Sequence, residues 1–161
     1  MSWLLHRIDD RLIHGQVLIA WGGRLSPVRI WLADDAVAAS DWERQLYVDS
    51  APGIDVRVVG VGAAAAAWGD EAAAAGGAFL LVRDLATALR LVEGGARVEA
   101  FNVGGLHYAP GRTRLNDYVY LGDADRAAAR SLLARGVRLD AQDVPASRAQ
   151  SLAVLEPTLV P

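Results

Sequence analysis

Short apolar runs alternate along the chain with longer segments of helical character. The runs at 3–8, 28–33, 54–59, 78–82, 98–103 and 137–141 have the length and bounding turn residues of strands, and helices are predicted at about 14–23, 36–49, 62–74, 84–93 and 123–134. This rhythm of βα units predicts an α/β fold: a single domain over 1–161 with an open, mostly parallel sheet flanked by helices. Asp84 and Asp123 stand where a helix N-cap would accept from the free N–H groups of the first turn. Gly94 and Gly136 stand where a helix C-terminus favours a left-handed residue.

The stretch 106–121 breaks the rhythm. Pro110-Gly111 signals a turn and 118–121 a further short strand, so a hairpin or antiparallel edge is expected there. The tail, 148–161, has one short helical pattern and then prolines at 157 and 161, which predicts a loose end. No internal repeat, charged tail or Pro/Ser-rich linker divides the chain.

Composition narrows the function classes. At 161 residues and 53% hydrophobic content the chain can bury one core. A net charge of -3 supplies no broad positive field, so nucleic acid is not an expected partner. Without cysteine neither a disulfide framework nor a thiolate metal site can form. All 16 basic residues are arginine, which excludes any mechanism that needs a lysine. The start, Met1-Ser2-Trp3-Leu4-Leu5-His6-Arg7, has no signal-peptide h-region, and the alanine-rich tract 63–75 falls short of a membrane span. A soluble protein at a cytoplasmic address is the expectation.

The candidate chemistry lies in Asp9-Asp10-Arg11-Leu12-Ile13-His14-Gly15, directly after the first strand. In open parallel sheets, ligands collect beyond the carboxyl ends of strands, and free N–H groups at the following helix start favour a doubly charged phosphoryl group. An imidazole with one neutral nitrogen is a nucleophile toward phosphorus, and a carboxylate accepting from the other nitrogen fixes the tautomer. Asp10 or Asp9 can do this for His14. Arg11 offers a fork of donors to phosphoryl oxygens, and Gly15 lets the backbone approach closely. His6, inside the first strand, reads as structural, while His107 after a glycine pair reads equally as a site neighbour or a surface loop residue. Gly104-Gly105 could let a strand end approach the phosphoryl loop. Asp34-Asp35 could bind a divalent ion or shape the cleft, a helix cap being the simpler account. Arg112 and Arg114 could belong to a docking surface for an acidic partner.

The segment Arg7-Ile8-Asp9-Asp10-Arg11-Leu12-Ile13-His14-Gly15-Gln16-Val17 closely resembles the active-site signature of the IIB components of the mannose, fructose and sorbose class of the bacterial phosphoenolpyruvate-dependent sugar phosphotransferase system. The resemblance continues through Trp21, Asp34-Asp35, Val92-Glu93-Gly94-Gly95, the stretch from Phe101 to His107, Gly136-Val137 and Val144-Pro145. It implies an open α/β fold in which His14 accepts phosphate from a phosphorylated IIA protein and donates it to a sugar held by membrane IIC/IID partners. It implies Arg11 as the phosphoryl-binding arginine, no metal or organic cofactor, peripheral association with the membrane through the permease, and it allows a homodimer. The absent lysines, the alanine-rich third helix and the proline-ended tail depart from the pattern without touching the histidine loop. Other readings are a regulatory phosphocarrier without a sugar permease, an interaction module that senses phosphorylation or metabolite state and catalyses nothing, whose receiver-type version fails for want of a lysine, and an acid/base enzyme using His14 with Asp10, which would need a closed apolar pocket.

Overall fold

A computed structural model describes residues 2–70 and 73–161. The strands are β1 (Trp3–Asp9), β2 (Arg29–Ala33), β3 (Asp55–Val59), β4 (Ala78–Val82), β5 (Ala100–Gly105), β6 (Thr113–Arg114), β7 (Tyr120–Leu121), β8 (Arg138–Ala141) and β9 (Gln150–Ser151). One sheet runs in the order β3-β2-β4-β1-β5-β8-β9. Its pairings are parallel except at the last, where β9 lies antiparallel to β8. All five side chains of β4 are buried, as they must be in a strand covered on both faces, and its sequence is accordingly Ala-Phe-Leu-Leu-Val. The edge strand β3 instead exposes Asp55 and Arg57 in alternation, which blunts that edge against further pairing.

A π-helix (Gln16–Trp21) runs into α1 (Gly22–Leu25), followed in chain order by α2 (Asp35–Ala38), α3 (Asp41–Ser50), α4 (Val61–Ala66), α5 (Leu85–Glu93), α6 (Asp123–Ala134) and α7 (Leu152–Leu155). Two cores result. Val17 and Trp21 pack with Val37, Ile30 and Phe79 on one face, while Val61, Leu85, Leu91 and Leu132 pack with Ile8 and Phe101 on the other.

The predicted strands are all present, and the irregular stretch holds the expected hairpin, β6 against β7, with Leu106 bridged to Val119 in parallel. Several boundaries differ for local reasons. The segment 36–49 is two helices, because Asp34 accepts from Val37 N–H to start α2 and Ser40 accepts from Glu43 N–H to start α3. The predicted helix 62–74 ends at Ala66 and gives way to turns, and part of it lies outside the described residues. Asp84 caps α5 as expected, with Oδ1 2.8 Å from Thr87 N. Asp123 does not cap α6. Gly122 is the cap, and Asp125 reaches back to accept its N–H at 2.8 Å. Gly136 has the left-handed φ of 84°, but after α5 that conformation falls on Gly95, at φ 109°. Gly94 is helical and serves packing, since a Cβ there would stand 2.8 Å from Ala65 Cβ on α4. Nor is the tail loose. Leu152 and Leu159 are buried, and Glu156 pairs with Arg126 of α6 at 2.8 Å.

Candidate functional site

Chain direction locates the site. After β1 the chain turns onto one face toward β2, whereas after β5 it turns the other way toward β8. The crevice beyond the ends of β1 and β5 is therefore the sheet's topological switch point, where α/β sheets bind ligands. The loop Asp9 to His14 leaves one side of it, and Gly104 to His107 leaves the other.

Period-two alternation places Leu5, Arg7 and Asp9 on the face of β1 that meets the π-helix. Arg7 and Asp9 are both fully buried, an ion pair at 3.0 Å. Such a pair persists only if its remaining valences are met. They are. Arg7 Nη1 donates to Asn102 Oδ1 at 2.7 Å and to the Gln142 carbonyl at 3.2 Å, Nη2 donates to Gln16 Oε1 at 2.9 Å, and the guanidinium lies 5.6 Å from the centre of the Trp21 ring. Trp21 in turn donates to the Asp143 carbonyl at 2.8 Å, tying the loop after β8 to the same cluster. Burial pulls Arg7 below the ordinary guanidinium value, with Asp9 opposing.

Asp9 is saturated by arginine. Its Oδ1 accepts from Arg11 N and Nε, each at 3.0 Å, and its Oδ2 from Arg11 Nη2 at 2.9 Å. Burial works against its charge, but hydrogen bonds from Arg11 and the charge of Arg7 outweigh it and hold the carboxyl below its usual range. Arg11 thereby spends Nε and Nη2 on Asp9 and Gln16, while Nη1 makes no hydrogen bond among the described residues. Within this triad two guanidinium groups face one carboxylate, Arg7 from the interior and Arg11 from the mouth of the crevice.

His14 Nδ1 lies 2.9 Å from the Leu12 carbonyl, which can only accept, so Nδ1 carries the proton. The expected carboxylate is replaced in this role by a backbone oxygen. Leu12 presents it from the left-handed conformation, φ 56°, costly for a branched residue by about 1 kcal/mol or more and held by complete burial of its side chain. His14 Nε2 stands 3.7 Å from Asp9 Oδ2, has no hydrogen-bond partner among the described residues and is closed to solvent. Burial is the main cause that lowers the ring below its ordinary value of 6.5, so it is neutral at pH 7. The chain starts its helix one residue later, at Gly15, and as a π-helix, a form that concentrates at functional sites.

Asp10 does not reach His14. It accepts from His107 at both oxygens, from N–H at 2.8 Å and from Nδ1 at 2.6 Å. Gly104 and Gly105 supply space of two kinds. A Cβ at 104 would fall inside the Arg7 guanidinium, so this glycine makes room for the buried arginine and not for a ligand. A Cβ at 105 would crowd Asp9, His107 and Arg11. Gly15 has ordinary helical dihedrals and faces open space. Arg112 bonds the His107 carbonyl at 2.9 Å and pairs with Asp125, and Arg114 pairs with Asp117, so both expected docking arginines have partners within the fold. Asp34 and Asp35 hold Arg83 and Arg90 besides their backbone bonds to α2 and α4. Sequence reasoning gave no role to Arg7, Gln16, Asn102 or Gln142. For the first, the alternation Arg7, Asp9, Arg11 was the available signal, because residues two apart on a strand share a face.

The family model described as "PTS system sorbose subfamily IIB component" matches residues 3–156. The chain is 33% identical over 151 residues to the N-acetylgalactosamine-specific phosphotransferase enzyme IIB component 1 of Escherichia coli strain K12, covering 92% of this chain and 95% of that protein. It is 36% identical over 141 residues to the mannose-specific EIIAB component of the same strain, covering 87% of this chain but only 44% of that longer protein. Among solved structures, the IIBSor domain of the sorbose permease from Klebsiella pneumoniae superposes with a TM-score of 0.89 at 31% identity, covering 98% of both chains.

Proposed function

The chain belongs to the sorbose subfamily of IIB components of the phosphotransferase system, and from that premise we propose that His14 takes a phosphoryl group from a phosphohistidine on a IIA protein. It then passes the group to a sugar held by membrane IIC/IID partners, with which the protein associates peripherally. The observation that carries this reading is a neutral imidazole at the switch point beside an arginine whose Nη1 makes no hydrogen bond among the described residues. Such a ring is a nucleophile at neutral pH, and Arg11 can meet the phosphoryl oxygens as charge develops on them.

The reactive nitrogen follows from access. Nε2 holds the lone pair at rest but is closed to solvent, so attack from it would require the ring to leave its packing. Moving the proton from Nδ1 to Nε2 instead turns it toward the Asp9 carboxylate, 3.7 Å away, and frees the Nδ1 lone pair once the Leu12 carbonyl turns away. The left-handed strain at Leu12 makes that turn less costly. In the step itself the partner's N–P bond breaks, its electron pair stays on the partner's nitrogen, and a new N–P bond forms at His14.

The test is incubation with a phosphorylated IIA protein of the same organism, followed by detection of an acid-labile, alkali-stable phosphoryl group. One group per chain is expected, on Nδ1 by nitrogen-15 NMR, and none in His14→Ala. Equal labelling of that variant would overturn the reading. Chase of the label into sugar by membranes carrying the IIC/IID partners tests the second transfer.

A further inference from the structure

We propose that His107 is a second donor to the phosphoryl group during transfer, positioned by Asp10; the proposal rests on the reading of His14 as the phosphoryl acceptor. Arg11 alone is a poor cradle for a group with three non-bridging oxygens, because two of its three nitrogens are already committed to Asp9 and Gln16. A second side-chain donor adds to Arg11 and to the backbone N–H groups of the helix start. His107 stands beside Arg11: its Cε1 and Arg11 Nη2 lie 2.9 and 3.0 Å from the single point that a Cβ at residue 105 would occupy. Asp9 Oδ1 lies 2.8 Å from the same point, so glycine at 105 is what allows the three groups to converge.

An incidental surface histidine would not be held as this one is. Asp10 clamps both its backbone N–H and its ring, linking the end of β1 to the residues after β5 across 97 positions of sequence. Arg112 fixes its carbonyl. The carboxylate claims Nδ1–H and so leaves Nε2 as the outward nitrogen of a ring that is 43% exposed. The charges around it are Asp10 and Asp9 on one sign, Arg11 and Arg112 on the other. As the dianionic group arrives, Nε2 takes a proton from solvent and donates it in a hydrogen bond to a phosphoryl oxygen; when the group leaves, the proton returns to solvent. His107 forms no bond to phosphorus. Asp10 never touches the group and is a positioning residue.

The experiment is rapid-quench transfer from phosphorylated IIA protein across a range of IIA concentrations. His107→Ala should lower the limiting rate about 100-fold, the low end of the worth of one such donor, with the half-saturating concentration within about 3-fold and final labelling still one group per chain. His107→Gln, which keeps an N–H at the end of a side chain, should recover part of the loss. Asp10→Asn should slow the limiting rate, and the double variant with His107→Ala should be no slower than His107→Ala alone. A limiting rate within 2-fold of the parent in His107→Ala, or an effect confined to half-saturation, overturns the proposal. Failure of the underlying reading is separately visible, as absence of label in the parent or its persistence in His14→Ala.

Discussion

His6 makes the fold sensitive to acid. Its ring packs against Trp3, Trp68 and Phe101, its Nε2 is buried without a hydrogen-bond partner among the described residues, and burial lowers its pKa from 6.5 to about 4. Between those values the unfolded chain binds a proton that the folded chain refuses. Stability is therefore full above pH 6.5 and falls as pH drops toward 4, by up to about 3 kcal/mol at 1.36 kcal/mol per pH unit. The lowered His14 adds a loss of the same sign. Urea midpoints measured from pH 7 to 4 should fall less steeply in His6→Gln, and an unchanged slope would remove His6 as the cause. At this scale the sequence disclosed the histidines but not their partners. Asp9 and Asp10 are indistinguishable in a string, yet a strand sends successive side chains to opposite sides. That geometry gives Asp9 to the arginines and Asp10 to His107.

Elements were legible where a single signal ruled. The fully apolar β4 and the capped α5 stand as read from composition and from Asp84. Where two signals competed, the outcome turned on contacts that sequence does not display. Ser40-Asp41-Trp42-Glu43 carries a capping signature inside an otherwise helical stretch, and it divides α2 from α3. The helix after His14 is wound as a π-helix, which brings Gln16 under both Arg7 and Arg11, and no periodicity announces that. The glycine pair ending β5 read as possible room for a ligand loop, whereas Gly104 is room for a buried guanidinium. Gly104→Ala should consequently displace Arg7, leave Asp9 short of a partner in a dry site and cost about 3 kcal/mol or more in urea unfolding. A cost below about 1 kcal/mol would mean that Arg7 has another place to go.

On the scale of the whole molecule, the proposed chemistry and the C-terminal tail occupy different parts of the sheet. The phosphoryl chemistry proposed for His14 sits beyond the carboxyl ends of β1 and β5, in loops whose order comes from Asp9, Asp10 and the glycines between them. The tail covers the side of the sheet beyond β8. After β9 the chain lays α7 against β8 and the turn Pro157–Leu159 against α6, burying Leu159 beside a cavity of about 450 Å³ lined by Arg130, Leu133, Ala134 and Val160. Proline at 157 disguised this in the sequence, since it ends one helix but also begins the short 3₁₀ turn that returns Leu159 to the core. Leu159→Ala removes a buried side chain next to space that can partly collapse, so its cost should fall near the low end for such changes, about 2 kcal/mol. That corresponds to a midpoint about 4–8 °C lower in thermal unfolding of a chain this size. The limiting rate of phosphoryl transfer per folded molecule should stay as in the parent, because the turn that carries Leu159 packs on α6 and α7. A slowed transfer at full folding would mean instead that α6 couples the tail to the hairpin beside His107.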